Sequence, residues 1–143
     1  MSYDLKLSGG DLVLNNGQLQ KVEQSDKLAQ DILKICLTPV GANPLQSWYG
    51  SFISRTMIGN AMSDTMLITI GESQLNTALE NLKNLQAIQL KSFQRVSAEE
   101  QIAAITDISI NRNAIDPREF NVRVSVLTKS MKPISTGFKI TTI

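Results

Sequence analysis

Residues 28–50, LAQDILKICLTPVGANPLQSWYG, decide how the rest of the chain is read. Leu28, Ala29, Ile32, Leu33, Cys36 and Leu37 recur at three- and four-residue intervals, the spacing of one helix face, while Gln30, Asp31 and Lys34 fall elsewhere. Ile35 is apolar off that stripe, so burial on more than one side is expected. Ser25 or Asp26 can cap the start, because either side chain accepts a bond from an orphan backbone N–H. Thr38-Pro39 stops the helix, since a residue before proline disfavours the α region. Gly41, Asn43, Pro44, Trp48, Tyr49 and Gly50 then make a turn-rich loop with two adjacent aromatics. Such a loop is an interaction surface, or a connector whose rings pack back over the helix. Cys36 sits on the apolar stripe with no activating cation near in sequence, and reads as a small core residue.

Upstream, Tyr3, Leu5 and Leu7 alternate with polar residues, and Gly9-Gly10 supplies a turn. Leu12 and Leu14 alternate next. Asn16-Gly17 is a strong hairpin signal, because a type I′ turn needs positive φ at both central positions. Leu19 and Val22 continue a third run. These runs predict a small meander, a hairpin arm over residues 1–24. It either covers one edge of the fold or pairs with a neighbouring subunit, since strands this short hardly stand alone.

Downstream, residues 59–93 read as a long helical region beginning near Ala61, Met62 and Met66. Ile68, Thr69 and Ile70 before Gly71 are poor helix formers and predict a kink or break there. Leu75, Ala78, Leu79, Leu82, Leu85 and Ile88 form a continuous stripe, read as a core helix with a partner groove as the alternative. Ser97 and Glu100 match a capping box opening a short helical turn through about Ala103. Three alternating runs follow: Thr106, Ile108 and Ile110; then Phe120, Val122, Val124 and Val126; then Ile134, Phe138 and Ile140. The intervening turns predict an antiparallel three-stranded sheet, with Arg123 and Ser125 on its exposed face. The expected class is α+β in one domain over 1–143: hairpin arm 1–24, mainly helical 25–104, sheet 105–143. No internal repeat, low-complexity block or linker is read.

A net charge of +1 gives no electrostatic reason to expect nucleic acid as the partner. No run approaches eighteen apolar residues, and MSYDLKLSGG lacks the layout of a secretory signal, so neither a spanning helix nor secretion is expected. A lone cysteine forms no internal disulfide and fits a reducing compartment. The absence of histidine excludes His-based triads and the usual zinc sites. Ser8-Gly9-Gly10-Asp11 is too short for a phosphate loop. Asp107, Asp116 and Glu119 lack diagnostic spacing and read as solvated strand-edge and turn carboxylates; Lys129, Lys132 and Lys139 suit an edge strand. No catalytic, metal-binding or cofactor-binding residue is assigned, and no enzyme activity is expected.

The chain resembles the baseplate wedge family of contractile-tailed phages, which includes the homologous baseplate component of type VI secretion systems. The likeness rests on the arm DLKLSGGDLVLNNGQLQKVEQ and on Gln30-Asp31, Leu37-Thr38, Gly41, Pro44 and Tyr49-Gly50 in the helix-and-loop block. It rests also on the order that follows: long helix, acidic turn, three strands. The family places an acidic-Pro-Arg signature before its first long C-terminal strand. Here Glu99-Glu100-Gln101-Ile102 stands at that place, without the proline and arginine, and Asp116-Pro117-Arg118 matches the letters one strand later. The resemblance implies a structural subunit of a tail baseplate, part of a virion assembled in the host cytoplasm. Its implied partners are other wedge proteins and the tail sheath protein, with no nucleic acid and no membrane contact of its own. Sheath assembly would be templated by adding a strand to an open sheet edge. The implied partner contacts are Trp48, Tyr49, Glu99, Gln101, Asp116, Arg118, Phe138 and Ile140. Some family members carry a lysozyme label, so a tail peptidoglycan hydrolase is the rival reading, and an unrelated cytosolic adaptor a second.

Overall fold

The computed structural model describes residues 2–59 and 61–142. The arm is not a three-run meander. It is six short strands in three antiparallel pairs: β1 (Tyr3–Leu5) with β6 (Lys21–Glu23), β2 (Leu7–Ser8) with β3 (Asp11–Leu12), and β4 (Leu14–Asn15) with β5 (Gln18–Leu19). The breaks fall at Lys6, Val13 and Gln20, seven residues apart. Their backbones close a ring: Lys6 N–H donates to Gln20 O at 2.9 Å, Val13 N–H to Lys6 O at 3.0 Å, and Gln20 N–H to Val13 O at 3.0 Å. A seven-residue repeat is therefore present after all, with Leu5, Leu12 and Leu19 equivalent and the Gly9-Gly10 and Asn16-Gly17 turns equivalent. Asn16 and Gly17 have φ of 51° and 76°, as the type I′ turn requires.

Helix α1 spans Gln24–Leu37, so it starts just before the expected caps; Glu23 is its N-cap, and Asp26 lies in the first turn, where a negative charge suits the helix dipole. Leu28, Ile32, Ile35 and Cys36 are fully buried. Two residues depart from the sequence pattern: Leu37 is 55% exposed, and Gln30, read as surface, is 8% exposed. A short helix that the periodicity did not reveal, α2 (Ile53–Met57), buries Ile53 and Met57.

Helix α3 runs unbroken over Asp64–Lys91. No break occurs at Gly71. A Cβ there would lie 2.8 Å from Ile110 Cδ1, so the glycine lets the helix approach the sheet. Leu75, Ala78, Leu79 and Leu82 are buried as expected, but Ile88 is 56% exposed because it lies beyond the part of the helix that faces the core.

A 3₁₀ turn, Ala98–Glu100, leads directly into β7 (Ile102–Arg112), so the sheet begins earlier than expected. The strand order is β7-β8-β9, all antiparallel, with β8 at Glu119–Thr128 and β9 at Pro133–Thr141. Register shifts interrupt β7 between Ile102 and Ala104 and between Ile105 and Asp107. They carry Ile105 to the core side and leave Thr106 exposed, which corrects the expected Thr106-Ile108-Ile110 face. Phe120, Val122, Val124 and Val126 are buried, and Arg123 points out. The helices cover only one face of the sheet, α3 meeting β7 and α1 meeting β9, as an α+β layer requires.

The loop between α1 and α2 is closed at its neck. Ser51 N–H donates to Thr38 O at 2.8 Å, and Ser51 Oγ to Cys36 O at 2.5 Å. Gly50 has φ of 119°, and a Cβ on it would sit 2.4 Å from Thr38 O. Gly41 also has positive φ but open space around it. Gly50→Ala is therefore expected to cost about 3 kcal/mol or more, whereas Gly41→Ala costs about 1 kcal/mol. Thermal denaturation of the two variants beside the parent checks the contrast.

Candidate functional site

Two buried glutamines join the pieces on which candidate contacts sit. Gln30 on α1 holds the arm: its Oε1 accepts Leu7 N–H at 2.9 Å, and its Nε2 donates to Leu5 O at 2.8 Å and Asp4 Oδ2 at 2.9 Å. Gln86 on α3 holds the entry to the sheet, donating to Glu100 O at 2.7 Å and accepting Ile102 N–H at 2.9 Å. Lys34 adds an ion pair to Asp4.

Between the arm and the sheet runs a mostly apolar groove of about 480 Å³. Leu7, Leu33, Leu37, Gly137 and Phe138 line it. It lies beside β9, an edge strand with nine consecutive paired residues and no register shift. Among the described residues no strand pairs with the outer edge of β9. The other edge, β7, is bulged, which spoils a straight template.

The eight residues implicated from sequence do not form one surface. Trp48 is partly exposed, while Tyr49 packs against the core, their rings edge-to-face at 6.2 Å. Leu45, on the same loop and 92% exposed, carried no periodic signal. Glu99 pairs with Lys132 at 3.5 Å near the β8–β9 turn. Gln101 is buried, its Nε2 donating to Val96 O at 3.1 Å and Ser97 O at 3.3 Å, so its side chain serves the local turn. Asp116 and Arg118 face each other at 3.3 Å in the β7–β8 turn. That turn lies at the opposite end of the sheet from Glu99, roughly 30 Å away by strand length. Phe138 lines the groove, and Ile140 belongs to the core. Phe138 is thus the one member of the set placed against the open edge of β9.

The carboxylates with a clear shift move down. Burial raises the Asp4 carboxyl, but hydrogen bonds from Lys34 and Gln30 outweigh it and hold it below the usual range. The Arg118 backbone N–H and then its side chain lower Asp116, and Lys139 lowers Glu119. Burial pushes the Cys36 thiol up to about 12, so it stays protonated and inert. Burial, then the charge of Asp31, pushes the Tyr49 hydroxyl up to about 12. Among the described residues no group of three or more His, Cys, Asp or Glu is arranged to hold a metal ion. Among them, too, no helix is long and apolar enough to cross a membrane.

No protein-family model matches this chain, and no curated protein matches it by sequence. Among solved structures it is similar to a protein from Geobacter sulfurreducens named as a tail lysozyme. The TM-score is 0.61 at 11% identity, over 93% of this chain and 97% of that one. The two chains share a fold over most of their length.

The arm clamp has a pH signature. A carboxyl whose folded pKa lies below its unfolded value stabilises the fold above the ordinary aspartate range, and that contribution is lost as pH falls through the lowered value. Amide exchange at Leu5 and Leu7 is expected to accelerate selectively below about pH 4. Asp4→Asn removes the acid-dependent part. Gln30→Leu, by stranding the Leu7 N–H and Leu5 C=O, costs about 1–3 kcal/mol and opens the arm at every pH.

Proposed function

We propose that this protein is a structural component of a contractile tail or a related injection machine. In this reading it joins neighbouring baseplate subunits to the first ring of sheath and accepts a strand from a sheath subunit along β9. The observation that carries the proposal is the β9 edge: long, regular, unpaired among the described residues and flanked by an apolar groove. An incoming strand would satisfy the outward N–H and C=O groups of β9, and its alternate side chains would enter the groove between Leu7, Leu37 and Phe138. The tail setting draws support from the fold shared with the Geobacter protein.

The name of that protein raises a second reading, cell-wall hydrolysis. A glycosidase places two carboxyl groups across a cleft and raises the pKa of one so that it can act as an acid. Here Asp4, Asp31, Asp64, Glu99, Asp116 and Glu119 are each engaged by a lysine or arginine, and the shifts that stand out run downward. These features favour an assembly role.

Deleting residues 134–143 would strip Phe120, Val122 and Val124 of their β9 neighbours and take Ile140 out of the core, so a gentler change is needed. Leu7→Asp and Leu37→Asp alter exposed groove walls. They are expected to leave the melting temperature within a few degrees of the parent. In a tail-assembly reaction with the cognate tube and sheath proteins, they should abolish sheath attachment while tubes still form. Normal contractile tails from both variants would refute the edge-docking reading. Purified protein should leave a cell-wall suspension turbid, and clearing that Glu100→Gln abolishes would move the hydrolase reading ahead.

A further inference from the structure

Among the described residues, one buried carboxyl takes part in no ion pair. Glu100 is 1% exposed. Its Oε2 accepts Ser97 N–H and the Ser2 hydroxyl, both at 2.9 Å, while Oε1 is buried without a hydrogen-bond partner among the described residues. The neighbouring Gln86 spends its amide on the Glu100 carbonyl and the Ile102 N–H, and does not reach Oε1. A carboxylate buried in this state is costly, and a fold that needed only a turn here could use the amide.

Glu100 lines a cavity of about 300 Å³ enclosed by the arm, α1, α3 and Tyr49. The same cavity is lined by Asp4, Asp31, Lys27 and Lys34. Those four cancel: Lys27 binds Asp31 at 2.7 Å, and Lys34 binds Asp4 and, at 3.6 Å, Asp31. The lining therefore holds three carboxylates against two ammonium groups, and the unbalanced charge is that of Glu100. The remaining walls are the Tyr49 ring, Leu82, Leu85 and the amides of Gln86 and Gln89. Tyr3, another lining residue, is itself solvent-exposed, so the cavity reaches the surface.

We propose that this cavity is a socket for one arginine side chain of an assembly partner, with Glu100 as the carboxylate that receives it. A guanidinium fits the chemistry better than an ammonium. It is planar, so it can lie against the Tyr49 ring. It also offers several N–H donors at fixed angles, one for Glu100 and others for the amide oxygens of the wall. It is less strongly hydrated, so it enters a half-buried site at lower cost. The partner rests on the assembly reading above; the socket itself does not, and can be tested without any partner.

The test is carbon-detected NMR of the side-chain carboxyls in the full chain, titrated with methylguanidinium chloride at constant ionic strength. The Glu100 carboxyl resonance should shift saturably with a Kd on the order of 1 mM, the range open to so small an ion. Methylammonium should bind at least about tenfold more weakly, because it lacks the planar fork of donors that reaches Glu100 and the wall amides together. Glu100→Gln should lose binding by at least about tenfold yet melt no lower than the parent, because it removes a buried uncompensated charge. Glu99→Gln, on the solvent side of the same turn, should bind like the parent. No saturable shift well above that Kd would overturn the socket, as would equal binding of the two ions or undiminished binding by Glu100→Gln. Should Glu100→Gln fail to fold, the parent titration and the ion comparison still decide. A failed titration leaves the β9 groove variants to judge the assembly reading on their own.

Discussion

The arm of this protein has no core of its own, and Gln30 is what fixes it to the rest. Six strands of two or three residues bury little apolar surface; Leu7, Leu12, Leu14 and Leu19 all remain exposed. Such pieces are not stable alone. Their backbones are satisfied in two ways. The ring of Lys6, Val13 and Gln20 pairs three junction residues with one another, and the Gln30 amide takes up the groups at Leu5 and Leu7 that face α1. Gln86 repeats the device at the other long helix, bridging Glu100 and Ile102. In both cases a side-chain amide, with a donor and an acceptor at fixed separation, stands in for a neighbouring strand. Each places an irregular segment against a helix without leaving buried backbone groups unpaired.

This explains what could be read from sequence and what could not. The sheet was legible because β8 keeps strict alternation, and one buried face forces that pattern on the chain. The helices were legible where a single stripe faces the core. Gln30 was not, because an amide at a polar position carries no sign that its partner is backbone. The arm was misread as a meander because its three-way junction is made by main-chain bonds, and side chains record it only faintly in the recurrence of leucine and Gly turns every seventh residue. The β7 bulges are likewise backbone events. One residue inserted between Ile102 and Ala104, and another between Ile105 and Asp107, exchange the faces that a pure alternation would assign. At Gly71 the helix propensity pointed to a break, yet the need for close contact with Ile110 and Met57 prevailed.

The candidate site was legible in proportion to how much it depends on apolar pattern. Phe138 belongs to the third alternating run read from sequence, and the core-facing side of that strand continues into the groove. Leu7 and Leu37 were assigned to a strand and to a helix stripe, and their shared role appears only when the arm is folded back over α1. Glu99 drew notice through the family resemblance, as the acidic residue standing at the place of the signature. Its neighbour Glu100, first taken as a cap, is the one whose second oxygen remains unspent. A capping motif accounts for one carboxylate oxygen, and the sequence holds no information about the other.

Under the proposed assembly role, the β9 edge would have to stay open without joining copies of the chain, and its residues suit both demands. A long regular strand with free N–H and C=O groups invites pairing with any strand, including its own copy. Pro133 opens β9 and donates no N–H there, Lys132 stands just before it, and Lys139 lies within it. Two β9 edges brought together antiparallel would juxtapose these cations, whereas a partner strand carrying acidic or neutral residues meets no such penalty. Lys139 is already tied to Glu119 of the adjacent strand, which holds its ammonium over the sheet rather than leaving it to fold across the edge. The apolar groove adds a second filter, since a strand that pairs with β9 must also offer small or apolar residues to the space between Leu7, Leu37 and Phe138. Under the proposed function, backbone pairing would supply adhesion that any strand can satisfy, and the lysines and the groove would decide which strand is accepted.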